Sequence, residues 1–183
     1  SIAFRDNKNY KISTFEISEN KPTFIIAEIG NNHNGSLELA YKLVDNAVSS
    51  GANCAKFQMR SKNLYNLNNS EDLGAEYTLD LLSKFQLENN DLFKVFDYCK
   101  EKGILPLCTP FDLESLLQLE SYGMPAYKVA SADLTNHILL KAMCKTGKPL
   151  ICSTGMATES EILASVELLK NNGANFALLH CNS

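Results

Sequence analysis

Short apolar runs recur along this chain, and each is followed by a stretch in which apolar positions return every three or four residues. The runs Thr23–Ile29, Cys54–Gln58, Leu105–Cys108, Ala126–Val129, Leu150–Ser153 and Phe176–His180 predict buried strands. Helical periodicity falls between them at about Ser36–Ser50, Asn90–Lys102, Leu113–Tyr122, His137–Lys145 and Thr158–Asn171. Local signals mark the ends. Ser36 stands where an N-cap is needed, and Thr158 with Glu161 makes a capping box ahead of Ile162, Val166 and Leu169. Gly103, Gly123, Gly147 and Gly173 each separate a helix from the next strand. Strand, helix, glycine, strand is the grammar of a parallel α/β sheet.

Six such strands suit either an open doubly wound sheet or most of a (β/α)8 barrel. No GxGxxG or GxxxxGK[ST] opens the first helix, so nucleotide-binding open sheets lose ground. Polar residues lie at the ends of nearly every strand, the way barrel enzymes build their sites, whereas an open sheet gathers them at one switch point. The pattern therefore favours a (β/α)8 TIM barrel, incomplete here, of about the first six β/α units (residues 23–183). Residues 1–22 read as an extension of short extended pieces, with Phe4, Tyr10, Ile12, Phe15 and Ile17 as its apolar contacts. It is expected to pack across one barrel mouth.

Composition narrows the partners. A net charge of −4 over 183 residues offers no basic field for nucleic acid, and no Lys/Arg run marks a membrane surface patch. No apolar run reaches the length of a bilayer span. A bound anion must then be held by a few placed cations and amides, which favours a small phosphorylated ligand over a polymer. The six cysteines are spread out without CxxC spacing, and several sit in apolar runs, where a reduced thiol acts as a small hydrophobe. A reduced, cytoplasmic protein is the simplest reading.

The chemistry concentrates at strand ends. Glu28 lies within an apolar strand, where a carboxylate needs a donor or a cation, so it is either a structural ion-pair partner or an active-site acid, base or hydroxyl acceptor. His33, in the polar loop that follows, either shapes the loop or meets ligand. Lys56 and Gln58 end the second strand, and a lysine among apolar neighbours calls for a phosphate or carboxylate partner. Later strands bring Thr109; Lys128, Ser131 and Asp133; Ser153; and His180, Asn182 and Ser183. Two lysines with several hydroxyls make a credible phosphate cradle. A strand-end lysine could equally be a Schiff-base nucleophile. Ser153 lacks a GxSxG setting.

Taken in order, the blocks IAEIGNNHNGS (26–36), AKFQ (55–58), CTPF (108–111), PAYKVAS (125–131), STGM (153–156) and ALLHC (177–181) resemble the strand-end motifs of the sialic acid synthase family. The resemblance runs from about Thr23 to Ser183 and is specific as a set. It implies a (β/α)8 barrel that binds phosphoenolpyruvate, a divalent metal (Mn2+ or Mg2+) and an open-chain N-acetylated amino-sugar aldehyde. By likeness, Lys56, Thr109, Lys128, Ser131, Ser153 and Ser183 match positions that hold phosphoenolpyruvate. Glu28, Gln58 and Asp133 match positions near the sugar, with Glu28 orienting or protonating the reacting oxygen. Asp133 falls where several relatives carry Glu, which leaves the preferred sugar open. The catalytic assignments are thus Glu28, Lys56 and Lys128.

The implied reaction joins the methylene carbon of phosphoenolpyruvate to the sugar aldehyde, with the metal polarising that carbonyl; water adds to the cationic centre and phosphate leaves. The resemblance places no metal ligand within residues 1–183, since the family's two histidine ligands and its C-terminal antifreeze-like domain lie beyond Ser183, and it implies a homodimer for the whole protein. On this reading the chain is a fragment. Two rivals stand beside it: another barrel aldolase or phosphoenolpyruvate-condensing synthase, and a non-catalytic module that binds sugar acids.

Overall fold

The structure, a computed structural model, describes residues 10–61 and 84–181. The chain divides into two compact units, Ile25–Pro106 and Ser1–Phe24 with Leu107–Ser183.

In the unit Ile25–Pro106, strand β3 (Ile26–Gly30) leads to helix α1 (Leu37–Ser49), strand β4 (Cys54–Met59) and helix α2 (Asn89–Glu101). β3 and β4 pair in parallel, with Glu28 opposite Lys56. The register then slips, so that Gly30 rather than Ile29 stands opposite Phe57. This bulge re-aims the backbone where the polar loop begins. Gly30 has φ of +55°, a left-handed conformation that costs an L side chain energy and that glycine adopts freely. α1 begins as its sequence directs: the Ser36 hydroxyl accepts from the Leu39 amide at 3.2 Å. Its buried Ala40, Val44 and Ala47 form the inward stripe. From α2, Leu92, Val95, Phe96 and Cys99 are buried, and Phe96 meets Phe57 edge to face at 5.7 Å. Tyr98 donates to Asp45 at 2.9 Å, tying α2 to α1 at the surface.

The other unit opens on a hairpin of strands β1 (Tyr10–Ile12) and β2 (Phe15–Ile17). It continues with the end of strand β5 (Leu105–Pro110), helix α3 (Leu113–Tyr122), strand β6 (Tyr127–Val129), a 3-10 turn (Ser131–Asp133), helix α4 (His137–Lys145), strand β7 (Leu150–Ser153), helix α5 (Glu159–Asn171) and strand β8 (Phe176–Leu179). β5 pairs with β6, β6 with β7 and β7 with β8, all parallel. Gly123 closes α3 with φ of +87° and the Thr158–Glu161 box opens α5, as the sequence predicts, and Asp112 adds an N-cap by accepting from the Ser115 amide at 2.7 Å. Tyr127, Leu107, Leu119, Leu140, Met143 and Leu150 are among the largest fully buried side chains.

The hairpin is anchored by Tyr10, whose hydroxyl donates to the Leu150 carbonyl at 2.8 Å. Leu150 opens β7 and Ser153 closes it, so the hairpin sits at the strand end away from the predicted chemistry. Burial raises the Tyr10 phenol well above its ordinary value, with Cys152 adding to the effect. Among the other expectations, α3 and α4 span the predicted residues, while β3 starts three residues later than its apolar run. Ile25 instead leads into the ladder, its amide donating to the Asn53 side chain and its carbonyl accepting from the Asn53 and Cys54 amides. Phe4 and Ser183 lie outside the described residues.

Candidate functional site

In the unit Ile25–Pro106 the register places Glu28 beside Lys56, and the two side chains form an ion pair with Nζ to Oε1 at 2.8 Å. The lysine side chain is 8% exposed and the carboxylate 57%, so solvent reaches the pair from the glutamate side. The carboxylate partner that Lys56 needs is therefore Glu28. Strand alternation puts Gln58 on the face of Lys56. Its Oε1 accepts from Arg60 Nη1 at 3.2 Å.

The polar loop 31–36 closes by successive backbone bonds, Asn32 to Ile29, Asn34 to Asn31 and Ser36 to His33. His33 is 1% exposed, and its Nδ1 accepts from the Gly35 amide at 3.1 Å. Burial holds its imidazole below the ordinary histidine value, so the neutral ring carries its proton on Nε2. Of its two sequence readings, shaping the loop is the one with a contact.

In the other unit, parallel register aligns a second group. Cys108 pairs with Tyr127, so Thr109, one residue on, faces the same way as Lys128. Lys128 pairs with Ile151, and Ser153 follows two residues later on the same face. Lys128 is 8% exposed, and its Nζ donates to the Val129 carbonyl at 2.8 Å and to the Ser153 hydroxyl. Ser131, in the turn after β6, accepts from the Gly155 amide at 3.2 Å. Thr109 is 1% exposed, and among the described residues its hydroxyl is the buried side-chain polar atom with no partner. Asp133 stands apart in role. It accepts from the Asn136 amide nitrogen at 3.4 Å, in the turn that caps α4.

Cys181 is the residue whose setting the sequence did not convey. Cys54, Cys99, Cys108, Cys144 and Cys152 are buried, as apolar runs predict, but Cys181 is half-buried with its Sγ 3.6 Å from Ser131 Oγ. Burial pushes its thiol up. Hydrogen bonds from the Ser131 and Ser153 hydroxyls and the Thr154 and Gly155 amides outweigh that and hold it below the ordinary thiol value. Its place one strand-end beyond two serines was the available signal. The reading of Cys181, in its apolar run, as a small hydrophobe fails at this position, because polar donors surround its sulfur.

Among the described residues no group of three or more His, Cys, Asp or Glu side chains could hold a metal ion. No helix among them is long and apolar enough to cross a membrane.

A family model for the NeuB family matches residues 43–183. The chain belongs to the NeuB family. It is 39% identical over 176 residues to an N,N'-diacetyllegionaminic acid synthase of Campylobacter jejuni, a match covering 89% of this chain and 52% of that protein. It is 30% identical to an N-acetylneuraminate-9-phosphate synthase of Drosophila melanogaster, covering 87% and 45%. Among solved structures, an N-acetylneuraminic acid (sialic acid) synthetase from Leptospira borgpetersenii, determined with citrate, superposes with a TM-score of 0.85 at 34% identity, covering 94% of this chain and 59% of that one. The chain spans about half the length of the curated relatives it matches. The fold is thus α/β of the incomplete (β/α)8 barrel kind that the repeat predicts.

Proposed function

We propose that the protein condenses phosphoenolpyruvate with an N-acetylated amino-sugar aldehyde, such as N-acetylmannosamine, and releases phosphate as a nonulosonic acid forms. Membership of a family with relatives named as synthases of such acids supports the reading. The single observation that carries it is Thr109, whose buried hydroxyl has no partner among the described residues. Native proteins seldom leave such a group unsatisfied, and a ligand oxygen beside Lys128 and Ser153 would satisfy it.

In this proposal Thr109, Lys128, Ser131 and Ser153 hold the phosphate, with Lys56 and Ser183 assigned to phosphoenolpyruvate as well; Ser183 lies outside the described residues. Lys128 offers a buried charge and the serines fix orientation, so developing charge on the departing phosphate is met by donors already in place. A carbon–carbon bond forms between the methylene of phosphoenolpyruvate and the aldehyde carbon, and the aldehyde oxygen takes a proton that we assign to the Glu28–Lys56 pair, the lysine ammonium supplying it through the carboxylate. Water adds to the cationic carbon, and cleavage of the C–O bond releases phosphate. Gln58 and Asp133 are assigned to sugar hydroxyls. A divalent cation, Mn2+ or Mg2+, belongs to the same proposal, with ligands outside the described residues. So do a cytoplasmic location and a homodimer.

The test is turnover of the complete protein with phosphoenolpyruvate and a panel of amino-sugars, read as phosphate release and product mass. Absence of phosphate release with every sugar would overturn the proposal. So would a borohydride-trapped substrate on Lys56 or Lys128, which belongs to a Schiff-base aldolase.

A further inference from the structure

We infer that Arg60 is a positioning residue that fixes which end of the Gln58 amide is offered to substrate, so that Glu28 and Gln58 act as an acceptor–donor pair for one sugar hydroxyl. The hydroxyl-recognition part rests on the function proposed above; the orientation of the amide does not.

The chemistry of the groups decides the orientation. A guanidinium has only donors, so the atom of Gln58 facing Arg60 Nη1 at 3.2 Å must be its oxygen. The amide nitrogen then points back towards Glu28. A methyl carbon placed on Gly30 would lie 3.2 Å from Glu28 Oε1 and 3.5 Å from Gln58 Nε2, so both atoms border one point above the Gly30 backbone. A sugar hydroxyl presented between these two atoms, outside the Gly30 backbone, would donate to the carboxylate and accept from the amide. Reversing the amide would set donor against donor at Arg60 and turn the oxygen towards a carboxylate. A Cβ on Gly30 would press on the Glu28 carboxylate and touch the amide, so glycine lets both keep these positions.

Arg60 is itself held in place. Its carbonyl accepts from the Gln86 side chain. The carbonyls of Lys84 and Gln86 lie 3.2 and 3.5 Å from where a methyl on Gly35 would sit, so the same segment packs on the loop that follows Glu28.

The experiment uses the complete protein, labelled with 15N, with the Gln58 side-chain amide pair assigned by its loss in Gln58→Leu. In Arg60→Met the pair should shift and broaden as the amide loses its fixed orientation, and in Arg60→Lys it should return towards the wild-type positions. An unchanged pair in Arg60→Met overturns the inference, whether or not the protein turns over. In steady-state kinetics Arg60→Met should raise KM for the amino-sugar about 10-fold, the scale of one lost charged hydrogen bond, while KM for phosphoenolpyruvate stays put. Should Arg60→Met not fold, Gln58→Glu takes its place: it keeps the Arg60 contact, puts an acceptor where the amide donated, and should raise the same KM. Equal rises for both substrates would also overturn the inference. A wild-type protein without turnover defeats the proposed function but leaves the amide signals to decide the role of Arg60.

Discussion

Glu28 and Lys56 stand opposite each other across β3 and β4, and their side chains join at 2.8 Å. One residue beyond Glu28 the register slips, and the chain turns into the polar loop through a left-handed Gly30. The pair is thus built where the strand geometry breaks, with its lysine buried and its carboxylate open to solvent.

Glu28→Gln keeps volume and removes charge and proton transfer. Turnover should fall about 100-fold, with KM for phosphoenolpyruvate little changed. Because solvent reaches the carboxylate, the loss of stability should stay near 1 kcal/mol. Melting temperature and turnover measured on one preparation check this. Lowered stability with near-normal turnover would make Glu28 a structural partner only.

Thr109→Val removes a hydroxyl that has no partner among the described residues. Deleting an unsatisfied buried polar group of the same shape is neutral or stabilising, so the melting temperature should hold or rise. KM for phosphoenolpyruvate should rise about 10-fold if a ligand satisfies that hydroxyl. A drop in stability with unchanged KM would contradict the assignment.

Lys128→Ala should weaken phosphoenolpyruvate use by more than Thr109→Val does, since a charge-assisted contact is about twice as strong as a neutral one. It also strips Ser153 of its buried donor. Titration of phosphoenolpyruvate against the variant reads the effect, and unchanged kinetics would remove the phosphate cradle.

Cys181 should be the first of the described cysteines to react with iodoacetamide. Its lowered thiol value means that the reactive thiolate persists to a lower pH than for an ordinary thiol and is lost as pH falls through that value. Burial pushes Cys99 and Cys152 up to about 12, which leaves them protonated across the same range. Rates against pH, with the modified peptide found by mass, give the measurement. Phosphoenolpyruvate should slow the reaction, because Ser131 and Ser153 border the sulfur. Faster labelling at Cys99 or Cys152 would contradict the assignment.

Gly30→Ala combines a left-handed backbone with a methyl 3.2 Å from Glu28 Oε1. The backbone alone costs about 1–3 kcal/mol, read as a lower denaturant midpoint, and the displaced carboxylate should lower turnover further. A variant as stable and active as wild type would show that neither constraint operates.

Much of this protein is determined by neighbours close in the chain, and that part could be read directly. Apolar periodicity sets each helix face, Ser36 and Thr158 cap within one turn, and the order of strand-end motifs points to the family. Glu28, Lys56, Lys128 and Ser153 draw notice because charge or hydroxyl sits among apolar neighbours. What each one touches is another matter. Glu28 and Lys56 are 28 residues apart, and Lys128 and Ser153 are 25 apart. Such pairs meet only once the parallel register is chosen, and a slip of one residue would turn each side chain to the other face. The bulge at Gly30, the unsatisfied Thr109 hydroxyl and the polar surroundings of Cys181 all follow from that choice, so tertiary structure alone decided them.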